Sequence, residues 1–195
     1  MKKSILWLVG LLFAIPFILT SCEESDGLVN PYENWKERNQ QYIDSIAAVA
    51  KANPAEWLVI HSYKFPENME GAINDVNDYV YCKVLEQGEG IAPLFTDSVA
   101  TNYRGQLIPL AEGSIVTFDQ SYHGELNKDV AVPVGFKVSE VIVGWTTALQ
   151  RMREGSRWEV YVPSELGYGI SGSNSIPGYS TLCFDVHLVK VYTNR

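Results

Sequence analysis

Cysteine and histidine are scarce in this chain, and basic charge is in deficit. Its 195 residues hold three cysteines and three histidines. His61, His123 and His187 stand singly, without the spacing of a zinc site, so no metal centre is expected. The cysteines are too few to define a disulfide framework. Lysine and arginine number 15 against 23 aspartates and glutamates, a formal charge of −8. That balance excludes a nucleic-acid partner, which needs lysine and arginine to neutralise phosphates. Internal repeats and low-complexity tracts are absent. Long apolar runs are absent too, except Ile5–Leu19, which falls short of the roughly 20 residues a membrane helix needs.

Lys2 and Lys3 precede that run, so residues 1–21 read as a secretory leader. The sequence Leu19-Thr20-Ser21-Cys22 resembles the lipobox of bacterial lipoproteins. The resemblance implies lipidation of the Cys22 thiol and cleavage before it, against the alternatives of an ordinary signal peptide or a single anchor helix. Losing the leader removes two lysines and no acid, which leaves the mature chain more acidic still. Several acyl chains on Cys22 would anchor it to a membrane, where a single chain binds only marginally. Export would permit a disulfide between Cys82 and Cys183. Both sit in strand-like runs, and buried free thiols are the simpler reading.

Residues 22–77 read as a tether, an amphipathic helix and a linker; residues 78–195 read as the main domain. The helix is expected over 31–53. Asn30 is placed as N-cap, Pro31 at the first helical position and Glu33 at the third, as in a capping box. Trp35, Tyr42, Ile43, Ile46, Val49 and Ala50 form its apolar stripe, and Asn53-Pro54 stops it. The stripe would pack on its own domain, or else pair two copies as a homodimer or serve as an arm for client proteins. Glu56–Phe65 leaves strand and helix both open. Pro66–Asp78 reads as linker or loop.

From Tyr79 onward short strand-like runs alternate with turn residues: Tyr79–Leu85, Ser98–Tyr103, Ser114–Phe118, Gly135–Val138, Arg157–Val162 and Thr181–Val191. One helix interrupts them, with Trp145, Leu149 and Met152 on one face and Gly155 as its C-cap. The fold class is α+β: a twisted antiparallel β-sheet wrapped around one short helix, preceded by the N-terminal amphipathic helix.

Several segments in order carry a family resemblance. Val99-Ala100-Thr101-Asn102-Tyr103-Arg104-Gly105 is followed by Phe118-Asp119, then Glu140-Val141-Ile142-Val143-Gly144-Trp145. Tyr168-Gly169-x-x-Gly172, Ile176-Pro177 and Thr181-Leu182-Cys183-Phe184-Asp185-Val186 complete the series. Together they resemble the FKBP-type peptidyl-prolyl cis-trans isomerases over about residues 78–192. The resemblance implies a proline pocket with Trp145 as floor and Tyr103, Phe118, Val141, Ile142, Ile176 and Phe184 as walls. Asp119 would sit at the rim. The Tyr168 hydroxyl and the Ile142 backbone N–H would meet substrate carbonyls. A further wall, commonly aromatic in the family, would fall at Val134, and Gln120–Pro133 departs from the pattern. The implied partners are proline-containing polypeptides, and the chemistry needs no cofactor. A catalytically weak binding module or chaperone on the same fold is the alternative. Gly167-x-Gly169-x-x-Gly172 also matches a dinucleotide fingerprint, but Pro177 and further glycine follow where that motif must open a helix.

Overall fold

The computed structural model describes residues 30–65 and 75–193. The expected leader, Cys22, the expected tether and most of the expected linker lie outside the described residues. Helix α1 spans Trp35–Ala52. It starts one turn later than expected. Asn30 caps a turn instead: its Oδ1 accepts from Tyr32 N–H, and its carbonyl accepts from Glu33 N–H. Asn34, with a left-handed φ of 49°, then redirects the chain into the helix.

Seven strands form one antiparallel sheet among the described residues: β1 Trp57–His61, β2 Tyr79–Glu86, β3 Ser98–Leu107, β4 Thr117–Gln120, β5 Val134–Lys137, β6 Arg157–Val162 and β7 Leu182–Tyr192. The order is β1-β2-β6-β7-β3-β4, and β5 also pairs with β3. Strand β3 is long enough to serve two partners. Its first half pairs Ser98–Thr101 with β5, and its second half pairs Arg104–Gln106 with β4. The expected strand at Ser114–Phe118 therefore begins later and runs past Asp119. Glu56–Phe65 resolves as strand, since β1 pairs with β2 from Trp57↔Lys83 to His61↔Tyr79.

Alternation along the strands sorts the two faces. On β6, Trp158, Val160 and Val162 are buried beneath the second helix, α2 (Val143–Leu149), while Arg157, Glu159 and Tyr161 turn to the other face. Gly144 lets α2 come close, because a Cβ there would stand 2.3 Å from Val162 Cγ1. The helix ends at Leu149, short of the expected stop. Gly155 has the anticipated positive φ, 93°, but uses it in the turn into β6, where its N–H donates to Leu188 O.

Helix α1 covers the opposite face. Ile43 and Ala50 pack in a cluster with Trp57 and Tyr81, and Tyr161 leans on it. Fully burying such a side chain stabilises by about 1.5–3 kcal/mol, so most of the apolar stripe is used on its own sheet, and Val49 alone of it stays exposed. The exposed side of α1 carries Lys36, Glu37, Gln40, Gln41 and Asp44. Cys82 and Cys183 are free thiols, Cys82 fully buried. No group of histidine, cysteine and carboxylate side chains among the described residues could hold a metal. No helix among them is long and apolar enough to cross a membrane.

Candidate active site

The site lies between the sheet and the N-terminal end of α2. Trp145 enters from the first turn of α2, 5% exposed, and forms its floor. Three rings meet the indole edge to face: Tyr103 at 5.3 Å, Phe184 at 5.3 Å and Phe136 at 5.5 Å between centroids. Such contacts are worth about 0.5–1.5 kcal/mol each beyond area burial, and they fix ring orientation. Phe118 meets Phe184 at 5.6 Å and 88°. Gly105 makes that pair possible, because a Cβ there would fall 2.6 Å from the Phe118 ring and 2.8 Å from Phe184.

The cavity is open at its mouth and measures about 310 Å³. Of the nine expected pocket residues, eight line it: Tyr103, Phe118, Asp119, Val141, Ile142, Trp145, Tyr168 and Phe184. Ile176 is buried and lines an adjoining hollow of about 190 Å³, which shares Phe118, Asp119 and Tyr168 with the main cavity. Two lining residues escaped the sequence reading, Phe136 and Glu140. Phe136 takes the place assigned to Val134, which is 39% exposed and outside the lining. The signal was strand parity: in β5, Val134 and Phe136 share a face, and the larger apolar side chain reaches the pocket.

Polar groups are few and sit at the edges. The Tyr103 hydroxyl donates to Asp119 Oδ2 at 2.7 Å. Burial, reinforced by Asp119, pushes the Tyr103 phenol above its ordinary range, so it stays a protonated donor. Asp119 is exposed on β4 and lines the cavity. Tyr168 is 40% exposed, and its hydroxyl has no hydrogen-bond partner among the described residues. Ile142 is the N-cap of α2 and its carbonyl accepts from Thr146 N–H. N–H groups at a helix start lack intrahelical acceptors and are free to bind a carbonyl. A hollow of about 400 Å³ between β1 and the end of α2 is lined by polar groups such as His61, Ser62, Gln150 and Arg151, beside Tyr63 and Phe65.

An apolar, aromatic-floored cavity with a few polar groups at its rim is the kind of site that takes an apolar ligand group and orients it by a small number of hydrogen bonds. Comparison with known proteins makes this specific. The family model for FKBP-type peptidyl-prolyl cis-trans isomerase matches residues 91–189, and the chain belongs to that family. The chain is 40% identical over 121 residues to the FKBP-type 22 kDa peptidyl-prolyl cis-trans isomerase of Escherichia coli (strain K12), covering 61% of this chain and 53% of that protein. It is 39% identical over 127 residues to the peptidyl-prolyl cis-trans isomerase Mip of Coxiella burnetii, covering 64% and 50%. The chain thus spans about half the length of these curated relatives. A solved peptidyl-prolyl cis-trans isomerase from Pseudomonas syringae matches with a TM-score of 0.55 and 28% identity, over 81% of this chain and 96% of the other.

Proposed function

We propose that this chain catalyses cis–trans isomerisation of X–Pro bonds in exported polypeptides, at a cell-envelope membrane to which lipid on Cys22 anchors it. The observation that carries the activity is the aromatic cavity of about 310 Å³ floored by Trp145, with Tyr103 and Asp119 paired at its edge.

Rotation about a peptide bond costs about 18–20 kcal/mol, because it breaks amide resonance. Planar amide is stabilised by water through its dipole, and twisting reduces that dipole. Replacing water by the faces of Trp145, Phe136 and Phe184 therefore disfavours the planar ground state more than the twisted one. The Ile142 N–H and the Tyr168 hydroxyl each hold a substrate carbonyl, which fixes the peptide against the wall while the X–Pro bond twists. The Asp119 carboxylate, oriented by Tyr103, lines the cavity and acts on the dipole of the twisting amide. A thousandfold acceleration requires only about 4 kcal/mol, within what an apolar wall and two hydrogen bonds supply. Neither a covalent step nor a cofactor is needed.

The test is a protease-coupled assay on proline tetrapeptides with the full chain. Isomerisation should rise linearly with protein concentration; folded protein that leaves the buffer rate unchanged would sink the proposal. Mass spectrometry of material from a bacterial host should show acyl chains on Cys22. Three exposed aliphatic residues, Val130, Val132 and Ile170, at 72%, 76% and 71%, favour a second reading as a client-binding chaperone of weak turnover. Suppressed client aggregation with slow isomerisation would select it. A homodimer through residues 31–53 would have to use the exposed residues of α1, which are mostly polar apart from Val49 and two alanines, and sedimentation at rising concentration decides this by mass.

A further inference from the structure

Two residues lie in α1, before the family-matched segment, and are buried against the far side of the pocket. Asn39 is 2% exposed in the middle of an otherwise apolar stripe. A buried amide is costly unless every polar atom finds a partner. Here its Oδ1 accepts from the Thr181 backbone N–H at 2.7 Å, and its Nδ2 donates to Trp35 O at 2.7 Å. The Thr181 hydroxyl in turn donates to Asn39 O at 3.3 Å. Trp35, 7% exposed, donates from Nε1 to Ser180 Oγ at 3.0 Å, and that hydroxyl donates to Pro177 O at 2.6 Å.

These bonds converge on the loop 168–181, which carries Tyr168 at one end and Ile176 near the other. Tyr179 closes the loop on itself, its N–H donating to Gly169 O at 3.0 Å. Tyr179 holds a left-handed φ of 63°, a conformation that L residues keep only when their surroundings impose it. Lys36 of α1 stands over its ring at 4.8 Å. Two short routes therefore join α1 to the pocket. Asn39 reaches Tyr168 through Thr181, Tyr179 and Gly169. Trp35 reaches Ile176 through Ser180 and Pro177.

We propose that Asn39 and Trp35 are positioning residues that brace the loop 168–181 and thereby set where Tyr168 and Ile176 stand in the pocket. The proposal rests on the isomerase reading above. Neither residue touches the cavity, so their effect passes through the loop. Misplacing a substrate-holding group by about 1 Å can cost on the order of a hundredfold in rate.

The test compares Asn39→Ala and Trp35→Phe with Ile43→Ala in the full chain. Ile43 is equally buried in α1 and packs with Trp57 and Tyr81; it lines a hollow shared with Tyr179 and Thr181 but its side chain bonds to neither, so it separates packing from hydrogen bonding. Two readouts are taken: amide hydrogen exchange at Tyr179 and Thr181, and kcat and KM on a proline tetrapeptide. Asn39→Ala should speed exchange at both amides about tenfold or more relative to the rest of the sheet, and lower kcat/KM by about tenfold. Trp35→Phe, which keeps most of the ring, should shift both readouts the same way by less. Ile43→Ala should lower the melting temperature and move neither readout in the folded protein. Equal effects of Asn39→Ala and Ile43→Ala at matched folded fraction overturn the proposal. So does faster loop exchange with unchanged kcat and KM. Should Asn39→Ala fail to fold, Trp35→Phe decides on the same terms. If the unaltered chain shows no isomerase activity, the isomerase reading fails by itself. The exchange comparison then still rules on the brace: a change confined to 168–181 upholds it, and none refutes it.

Discussion

Phe136→Ala and Val134→Ala, two positions apart on β5, should behave very differently. Phe136 meets Tyr103 at 5.5 Å and Trp145 at 5.5 Å, both edge to face. Each contact is worth about 0.5–1.5 kcal/mol beyond area. Truncating a fully buried phenylalanine costs about 3–5 kcal/mol; Phe136 is partly exposed at the cavity wall, so a loss of about 2–3 kcal/mol is expected. The missing ring also opens a wall of the 310 Å³ cavity. A substrate proline that loses about 1.5–3 kcal/mol of apolar contact there should be turned over about ten- to a hundredfold more slowly in kcat/KM. Val134 is 39% exposed and pairs with Thr101 outside the cavity. Its truncation should cost about 0.5 kcal/mol or less and leave the rate within about twofold. Urea unfolding gives the stabilities, and the protease-coupled assay on folded protein gives the rates. If Val134→Ala slows isomerisation as much as Phe136→Ala, the assignment of the wall is wrong.

Other changes follow from the same geometry. Tyr103→Phe deletes the donor to Asp119; it should lower kcat/KM less than Phe136→Ala and cost about 0.5–1.5 kcal/mol in urea unfolding. Arg157→Ala strips a bidentate partner from Asp185, bonded at 2.9 and 2.6 Å, leaving the Tyr122 hydroxyl to hold that carboxylate. Stability should fall by about 1–3 kcal/mol, while the rate per folded molecule stays constant, because the pair lies on the opposite face of the sheet. Burial, with Lys128 adding to it, lowers the pKa of His187 below its usual 6.5. The neutral form is favoured in the folded state, so the unfolded chain binds more protons below about pH 6.5 and stability drops as pH falls through that region. His187→Gln should flatten the dependence in thermal melts from pH 7.5 to 5.5; an unchanged slope assigns it elsewhere.

Much of the main domain was legible because its signals are local. The run Arg157–Val162 alternates cleanly, and β6 has those bounds. Trp145 and Leu149 at helical spacing marked α2 for the same reason. Helix α1 was legible as an element but not at its start. Proline at a first-turn position and a nearby acid suit a helix, and the local code cannot register that Ala111 N–H bonds Pro31 O across the fold. Glu56–Phe65 was ambiguous because a short apolar run has no period to read; pairing with β2 decided it. Gly155 gave the right conformation and the wrong purpose, since a positive φ serves a turn into a strand as well as a helix end. In the pocket, residues adjacent to recognisable motifs were found, and Phe136 was missed because a family position two residues away drew the assignment. Asn39 left no trace in an apolar stripe, because Thr181, the partner that holds its side-chain carbonyl oxygen, is 142 residues distant.

The most direct measurement of the central claim is exchange NMR on an X–Pro peptide at equilibrium, with and without the folded chain. No protease intervenes, and the uncatalysed interconversion takes tens to hundreds of seconds. The account predicts cis–trans exchange cross-peaks within about a second at catalytic protein concentrations, sharply weakened by Phe136→Ala and retained by Val134→Ala. Peptide resonances that shift on binding while cis and trans exchange no faster than in buffer would contradict it, and would leave the cavity a binding site without catalysis.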